Sequence, residues 1–303
     1  AATNYVTPTG SNAMNGADWD NAFSNLQDAV NAASAAGDVI CLKYGVYART
    51  NELVVSNHPG LTIRGGYEGV GSPGGFTNAP TILTRGDNNI SNRLFAGYTS
   101  TLTVDRLSVT NGNSLRGAGL FLINCRTLVT NCVFSVNRIP NAFPNNSWGG
   151  GIYAETGLLM VVDSLLQDNG YSAYSSSWGG GIYSLNANVM LTNVRFDKNF
   201  LGVNSGAYGA GVSLAGGSAM IVGCVFNTNY TPVGYNHQGG ALYASGVNPL
   251  TISNCSFIGN YLSAFNGPVQ GGALYIAGCN PLTVTRCTFK GNWLASNISR
   301  EGG

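Results

Sequence analysis

Gly239-Gly240-Ala241-Leu242-Tyr243 is followed by Phe257-Ile258-Gly259-Asn260, and 32 residues later the same pair returns as Gly271-Gly272-Ala273-Leu274-Tyr275 and Phe289-Lys290-Gly291-Asn292. Working backwards along the chain, the glycine anchor recurs at Gly209-Ala210-Gly211, Gly179-Gly180-Gly181, Gly149-Gly150-Gly151 and Gly117-Ala118-Gly119. The second anchor recurs with it, as Phe226/Asn229, Phe196/Asn199, Leu166/Asn169 and Phe134/Asn137. A block of 30 to 32 residues therefore repeats from about residue 92 onward. Periods of this length mark solenoids and arrays, in which each unit buries its apolar face only against its neighbours.

Alignment on the Phe anchor exposes further columns. One is aliphatic throughout: Val104, Val129, Val161, Leu191, Ile221, Ile252 and Val284. Another is small or apolar: Leu107, Cys132, Ser164, Val194, Cys224, Cys255 and Cys287. Apolar residues alternate with Thr, Asn and Ser over four to six positions, which is the period of half-buried strands. Short strands at this repeat length, with no helices between them, predict an all-β β-solenoid with rungs of about 30 residues stacked roughly 4.8 Å apart.

Composition removes several other classes. Gly is 43 of 303 residues, twice the usual ~7%, while charged residues are 9%, far below the usual ~25%. A net charge of +1 and 44% hydrophobic residues exclude a disordered chain. Fourteen Lys and Arg scattered among thirteen Asp and Glu form no basic stripe, so neither nucleic acid nor anionic lipid is an expected partner. No apolar run reaches the ~18 residues of a membrane helix, so no membrane insertion by this segment is expected. The opening Ala1-Ala2-Thr3 reads as a mature start after signal-peptide removal, which predicts a secreted or cell-surface protein.

The N-terminal part departs from the repeat. Trp19, Ala22, Phe23, Leu26, Val30 and Ala33 are at helical spacing, predicting an amphipathic helix from Asp18 to Ala36 with Asp18 as N-cap. Such a helix would cover the open end of the solenoid. The expected organisation is an N-terminal segment with capping helix over 1–38 and a β-helix over 39–303, irregular over 39–91 and regular over 92–303. Strands are expected at Val39 to Leu42, Leu53 to Val55, Leu61 to Arg64 and Thr81 to Thr84. Glu301-Gly302-Gly303 matches Gln270-Gly271-Gly272, so the last rung is incomplete, and either continuation of the chain or contact with another molecule is expected there.

Six asparagines, Asn137, Asn169, Asn199, Asn229, Asn260 and Asn292, form a column. The expected role is structural: Asn tolerates the left-handed conformation of sharp corners, and stacked amides hydrogen-bond along the axis. The glycine pairs are read as positive-φ or close-approach positions, since no phosphate-loop pattern accompanies them.

The paired GGA and FxxN motifs at 239–292 resemble the repeats of polymorphic outer-membrane proteins. Tyr5-Val6 to Trp19, Leu26 to Val30, Gly45-Val46-Tyr47 and Ile63 to Gly69 are similar to the opening of bacterial surface β-helix proteins that carry such repeats. The resemblance implies a right-handed parallel β-helix, export, and a role in adhesion or surface structure, with Ser213 and Leu166 departing from the usual aromatics. The fold also carries pectin-degrading enzymes, so activity does not follow from it.

A polysaccharide lyase would need carboxylates for calcium and a basic residue, yet the column Arg106, Asn131, Asp163, Asn193, Gly223, Asn254 and Arg286 holds one acid. A glycoside hydrolase would need paired acids, for which Asp163, Asp168 and Glu155 in one coil are the candidates. His58 and His237 are isolated in turns, and seven Cys without a CxxC pattern argue against zinc; no metal and no cofactor are expected. Cys224, Cys255 and Cys287 are expected as a buried thiol stack, with spacing that would permit one disulfide.

The loop after each Asn opens with an aromatic, Tyr171, Phe200, Tyr230, Tyr261 or Trp293, and adds Trp148, Tyr174, Trp178, Tyr208, Tyr235 and Phe265. Charge-poor aromatic surfaces suit glycan stacking or a protein interface, or else bury their rings against one another. The sequence thus favours a non-enzymatic, exported surface or extracellular module of structural or adhesive kind, a head-to-tail filament being one form of it. Its partners would be itself by end-to-end stacking, surface glycans or other surface proteins. The rivals are a pectin-type lyase or glycosidase and a carbohydrate-binding module.

Overall fold

The computed structural model describes residues 1–303 other than 12, 88–91, 140–145, 174, 204, 233, 266, 297–299 and 302–303. Tyr174 and Gly302-Gly303, singled out above, lie outside the described residues.

One coil shows the plan. Ile182–Leu185, Asn188–Thr192, Arg195–Asp197, Phe200–Val203 and Ala207–Tyr208 follow one another, and Val212 then lies beside Ile182 to begin the next coil. Each strand pairs in parallel with its equivalent one rung away, as in the series Ile152, Ile182, Val212, Leu242, Leu274. The strands form a 16-stranded sheet, made from the first two segments of each coil, and sheets of nine, six and six strands from the rest. This is the β-solenoid expected from the repeat and the parallel β-helix implied by the resemblance.

The corners explain which residues the sequence spends there. Four described positions in this coil have left-handed backbone: Asn186, Asn193, Lys198 and Gly209, with φ of 53°, 54°, 53° and 67°. The conformation costs an ordinary L-residue roughly 1–2 kcal/mol, which Gly avoids and Asn or Asp reduces. The Asn193 corner is the column Arg106, Asn131, Asp163, Asn193, Gly223, Asn254, Arg286, each with positive φ. That column is thus selected by backbone conformation.

Inside the coil, one inward-facing column stacks face to face: Phe196, Phe226, Phe257 and Phe289 lie 4.8, 4.7 and 4.9 Å apart with interplanar angles of 10° or less. The aliphatic column from Val104 to Ile252 and the thiol column lie in the same continuous core. All seven cysteines are free, and five of them are buried.

The N-terminal helix is shorter than its apolar pattern suggests, spanning Leu26–Ala32 with Asn25 as the cap, whose side chain accepts from Gln27 N. Asp18 instead caps a turn, accepting from the Asn21 backbone. The cause is local competition: Phe23 exchanges backbone hydrogen bonds with Tyr5 and Thr7, which draws residues 22–24 into extended chain beside the first strand. Trp19 consequently packs on Tyr5 and Tyr67 at 4.7 and 5.8 Å, outside the helix. Leu26, Ala29 and Val30 still bury into the main core, so the helix does close over this end. Thr3–Val6 pairs with Asp38–Lys43, so residues before 38 already belong to the first coil. The expected strands appear as Asp38–Lys43, Leu53–Ser56, Leu61–Tyr67 and Thr81–Arg85, with Gly45–Arg49 in addition.

Candidate functional site

The three candidate acids occupy three different corners. Asp163 is exposed at the left-handed corner after Ile152–Val162, and its Oδ1 accepts from Asn193 Nδ2 on the next rung at 3.1 Å. Asp168 is itself a left-handed residue at the following corner, beyond Leu165–Gln167. Glu155 lies before the Thr156 corner and accepts from the Tyr153 hydroxyl at 2.7 Å. At about 3.3 Å per extended residue, at most roughly 16 Å separates Asp163 from Asp168 and at most roughly 26 Å separates Glu155 from Asp163, with left-handed corners at Thr156, Asp163 and Asp168 along the way. Paired acids of a glycosidase stand ~5–9.5 Å apart. The carboxylates of Asp163 and Glu155 are engaged by Asn193 and Tyr153, and Asp168 stands at a left-handed corner of its own.

The asparagine column is a hydrogen-bonded ladder. Asn199 Nδ2 donates to Leu166 O at 2.8 Å and to Asn229 Oδ1 at 3.0 Å, and its own Oδ1 accepts from the backbone N–H and Nδ2 of Asn169. The arrangement continues from Asn137 through Asn229 and Asn260 to Asn292. The first five are fully buried and Asn292 is half-buried. Their backbone role differs from the one expected. The left-handed residue is the one before each Asn (Val136, Asp168, Lys198, Thr228, Gly259 and Gly291), and the Asn serves through its amide.

Phe200, Tyr230, Tyr261 and Trp293 form an outer stack with centroids 5.7, 5.2 and 4.6 Å apart and planes within 21°. Tyr171 does not belong to it. Gly170 pairs with Phe200 and Tyr171 with Leu201, and a one-residue offset along a strand turns a side chain to the opposite face. Tyr171 is 1% exposed; its hydroxyl donates to Ser147 O at 2.6 Å and accepts from Trp178 N at 3.1 Å. Burial holds its phenol proton well above the ordinary range. In the outer stack the inner rings, Tyr230 and Tyr261, spend both faces on their neighbours and show mainly their edges; Trp293, the last ring of the stack, is 46% exposed.

A second aromatic wall lies across the glycine corner. Arg116, Trp148, Trp178, Tyr208, Gln238 and Gln270 form one column, joined by strand register. Phe121, Tyr153, Tyr183, Ser213, Tyr243 and Tyr275 form the other. Trp148 and Trp178 pack against the cluster containing Tyr153 and Tyr183, which sets the two columns side by side. The corner needs its glycines: a Cβ on Gly179 would meet Ile182 O at 2.1 Å. The Arg116 guanidinium lies 4.8 Å from the Trp148 ring. Burial, helped by the bond to Glu155, raises the Tyr153 phenol, and burial followed by the Glu155 charge raises Tyr183. The sequence reading met Trp148, Trp178 and Tyr208 only as loop aromatics. Reading the residue immediately before each glycine anchor would have put them in one column with Arg116 and both glutamines.

Each histidine has a ring nitrogen engaged with the backbone: His58 Nδ1 accepts from Gly60 N, and His237 Nδ1 accepts from Ala207 N, both at 3.1 Å. Burial pushes the Cys132 thiol up to about 12. The Cys224 thiol is held protonated by its hydrogen bond to Cys255 and by burial.

A chain of parallel, in-register coils with left-handed corners and internal side-chain stacks defines a β-helix protein. The model of the right-handed β-helix region matches residues 94–298, and the chain belongs to that family. Similar solved structures include a rhamnogalacturonan lyase, with 13% identity over 91% of this chain and 73% of that one and a TM-score of 0.47. A pectin methylesterase, PemA from Erwinia chrysanthemi, has 10% identity over 96% and 93%, with a TM-score of 0.41. A GH136 lacto-N-biosidase from Eubacterium ramulus has 11% identity over 95% and 68%, with a TM-score of 0.34. No curated protein matches the sequence. Among the described residues no helix is long and apolar enough to cross a membrane.

Proposed function

We propose that this β-helix is a non-catalytic structural or adhesive module of an exported, cell-surface or extracellular protein. The observation that carries the reading is the separation of Glu155, Asp163 and Asp168 onto different corners, where each stands as part of a repeating column. The rest of the surface has the same character: the outer rings from Phe200 to Trp293 close on one another, and the buried amides from Asn137 to Asn260 tie rung to rung. Such features make a stiff rod whose outside is a scaffold for contacts. The similarity of residues 5–69 to the opening of bacterial surface β-helix proteins supports export.

The test is release of new reducing or unsaturated ends from a panel of acidic and neutral polysaccharides, with Asp163→Ala as the control. No turnover by either form is expected. Turnover that disappears in Asp163→Ala would replace this reading with a lyase or hydrolase. Electron microscopy of the same material reads the filament form directly, as rods joined end to end.

A further inference from the structure

The outer column Phe121, Tyr153, Tyr183, Ser213, Tyr243, Tyr275 is aromatic at every position but one. Below the break, Phe121 and Tyr153 lie 5.0 Å apart and Tyr153 and Tyr183 5.6 Å apart; above it, Tyr243 and Tyr275 lie 5.5 Å apart. Tyr183 and Tyr243 are two rungs apart, so their strands stand roughly 9.5 Å from one another. The missing ring leaves one ring position without an aromatic of its own column, between two phenols and covered by the neighbouring Tyr208.

Two details mark this position as more than a substitution absorbed by the fold. Ser213 is 0% exposed, and among the described residues its Oγ has no hydrogen-bond partner, which buried hydroxyls rarely tolerate. The neighbouring column also changes course at this level. Trp148, Trp178 and Tyr208 stack within 13° of one another, but Tyr208 then meets Tyr243 edge-on, at 65° and 5.2 Å. Its ring leans on the upper phenol, over Gly206, where a Cβ would touch the Tyr208 hydroxyl at 2.5 Å.

We propose that Ser213 marks a binding subsite for one neutral sugar ring, sandwiched between Tyr183 and Tyr243 and closed in the free protein by Tyr208. A pyranose has an apolar face for each phenol and hydroxyls around its rim, which the Ser213 Oγ and the tyrosine hydroxyls satisfy. The column beside this position continues as Gln238 and Gln270, joined Nε2 to Oε1 at 2.7 Å, so the polar groups next to it are amides and hydroxyls. The nearby charges, Arg116 and Glu155, belong to rungs two or more below. These surroundings favour a neutral residue over a uronic acid. The inference stands apart from the scaffold reading, since binding at one subsite needs no turnover.

The test is calorimetric titration of the full chain with cellopentaose, xylopentaose, mannopentaose and laminaripentaose, and with a pentamer of galacturonic acid for comparison. Ser213→Tyr completes the aromatic column, and Tyr208→Ala removes the closing ring. At least one neutral pentamer is expected to bind the wild type. Ser213→Tyr should lose at least about tenfold in affinity, and Tyr208→Ala should gain about tenfold if the open form is a minor population. Thermal melts check folding, and Ser213→Tyr is expected to melt no lower than wild type. Three outcomes would overturn the proposal: no neutral pentamer binding wild type or Tyr208→Ala, unchanged binding in folded Ser213→Tyr, or preference for the galacturonate pentamer.

Discussion

Replacing Asn199 by Ala tests whether the buried amide ladder holds the rungs together or merely fills space. The substitution removes the acceptor of the Asn169 backbone N–H, at 3.2 Å, in a fully buried place. It also removes the two bonds that Asn199 donates to Leu166 O and Asn229 Oδ1. The groups left behind are not equally stranded: Asn169 Nδ2 keeps Phe134 O, and Asn229 Oδ1 keeps the Asn199 backbone N–H. An orphaned buried N–H costs about 1–3 kcal/mol and each of the three other lost bonds, the one from Asn169 Nδ2 included, about 0.5–1.5 kcal/mol, so the change should destabilise by about 2.5–7.5 kcal/mol. Asn292→Ala is the matched control, because Asn292 itself is half-buried, so water can take the place of its lost oxygen against the Asn260 N–H. It should cost about 1–2 kcal/mol. Urea unfolding gives the difference, and hydrogen exchange at the Asn169 amide gives the local effect without assuming that the solenoid unfolds in one step. Equal costs for the two variants within about 1 kcal/mol, or unchanged protection of the Asn169 amide, would refute the ladder as a source of stability.

Gly239 and Gly246 both have positive φ, of 68° and 63°, but a Cβ on Gly239 would meet Leu242 O at 2.3 Å whereas one on Gly246 meets nothing within 4 Å among the described residues. Gly246→Ala should therefore lose only the conformational cost of about 1–2 kcal/mol, and Gly239→Ala clearly more, as measured by denaturant unfolding. Native-state alkylation followed by mass spectrometry should label half-buried Cys279 and Cys287 and spare the five buried thiols until the protein is unfolded. Asp38 accepts from Ala2, Ser34 and Ala35 backbone N–H groups, and these bonds, Ala2 first, hold its carboxyl below the usual value. A depressed folded pKa gives stability that is full above the unfolded value near 3.8 and lost as pH falls through the folded one. Exchange protection of Val39, whose N–H bonds to Ala2 O, should consequently fall below about pH 4 in the wild type, and Asp38→Asn should weaken it already at neutral pH.

The parts of this molecule legible in its sequence are those where one residue type satisfies one local requirement on every rung. Phe196, Phe226 and Phe257 recur because an inward position one rung away has the same neighbours, so period and alternation together give the coil, its strands and its core. Expectation and structure part where two requirements share adjacent residues. Left-handed backbone and the amide ladder fall on neighbours, Lys198 and Asn199 or Thr228 and Asn229, and Lys or Thr advertises no corner, so the conformation was credited to the asparagine. Gly170 makes the same point for the outer stack. Its Cβ would meet Phe200 O at 1.9 Å, so no aromatic can stand there, and the nearest one in sequence, Tyr171, faces the interior. The helix was overextended because Trp19, Ala22 and Phe23 match its spacing while their backbone is claimed by Tyr5 and Thr7, a contact between segments that periodicity does not register. The glycine-corner wall was missed for a different reason. Its two columns are five residues apart in each coil, a spacing that belongs to neither strand nor helix, and only the sharp fold of the chain at Gly149 or Gly179 puts Trp148 beside Tyr153 and Trp178 beside Tyr183. A surface built across such corners is a property of the closed coil, so the residues that line it become readable as a unit only after register and corner are both known.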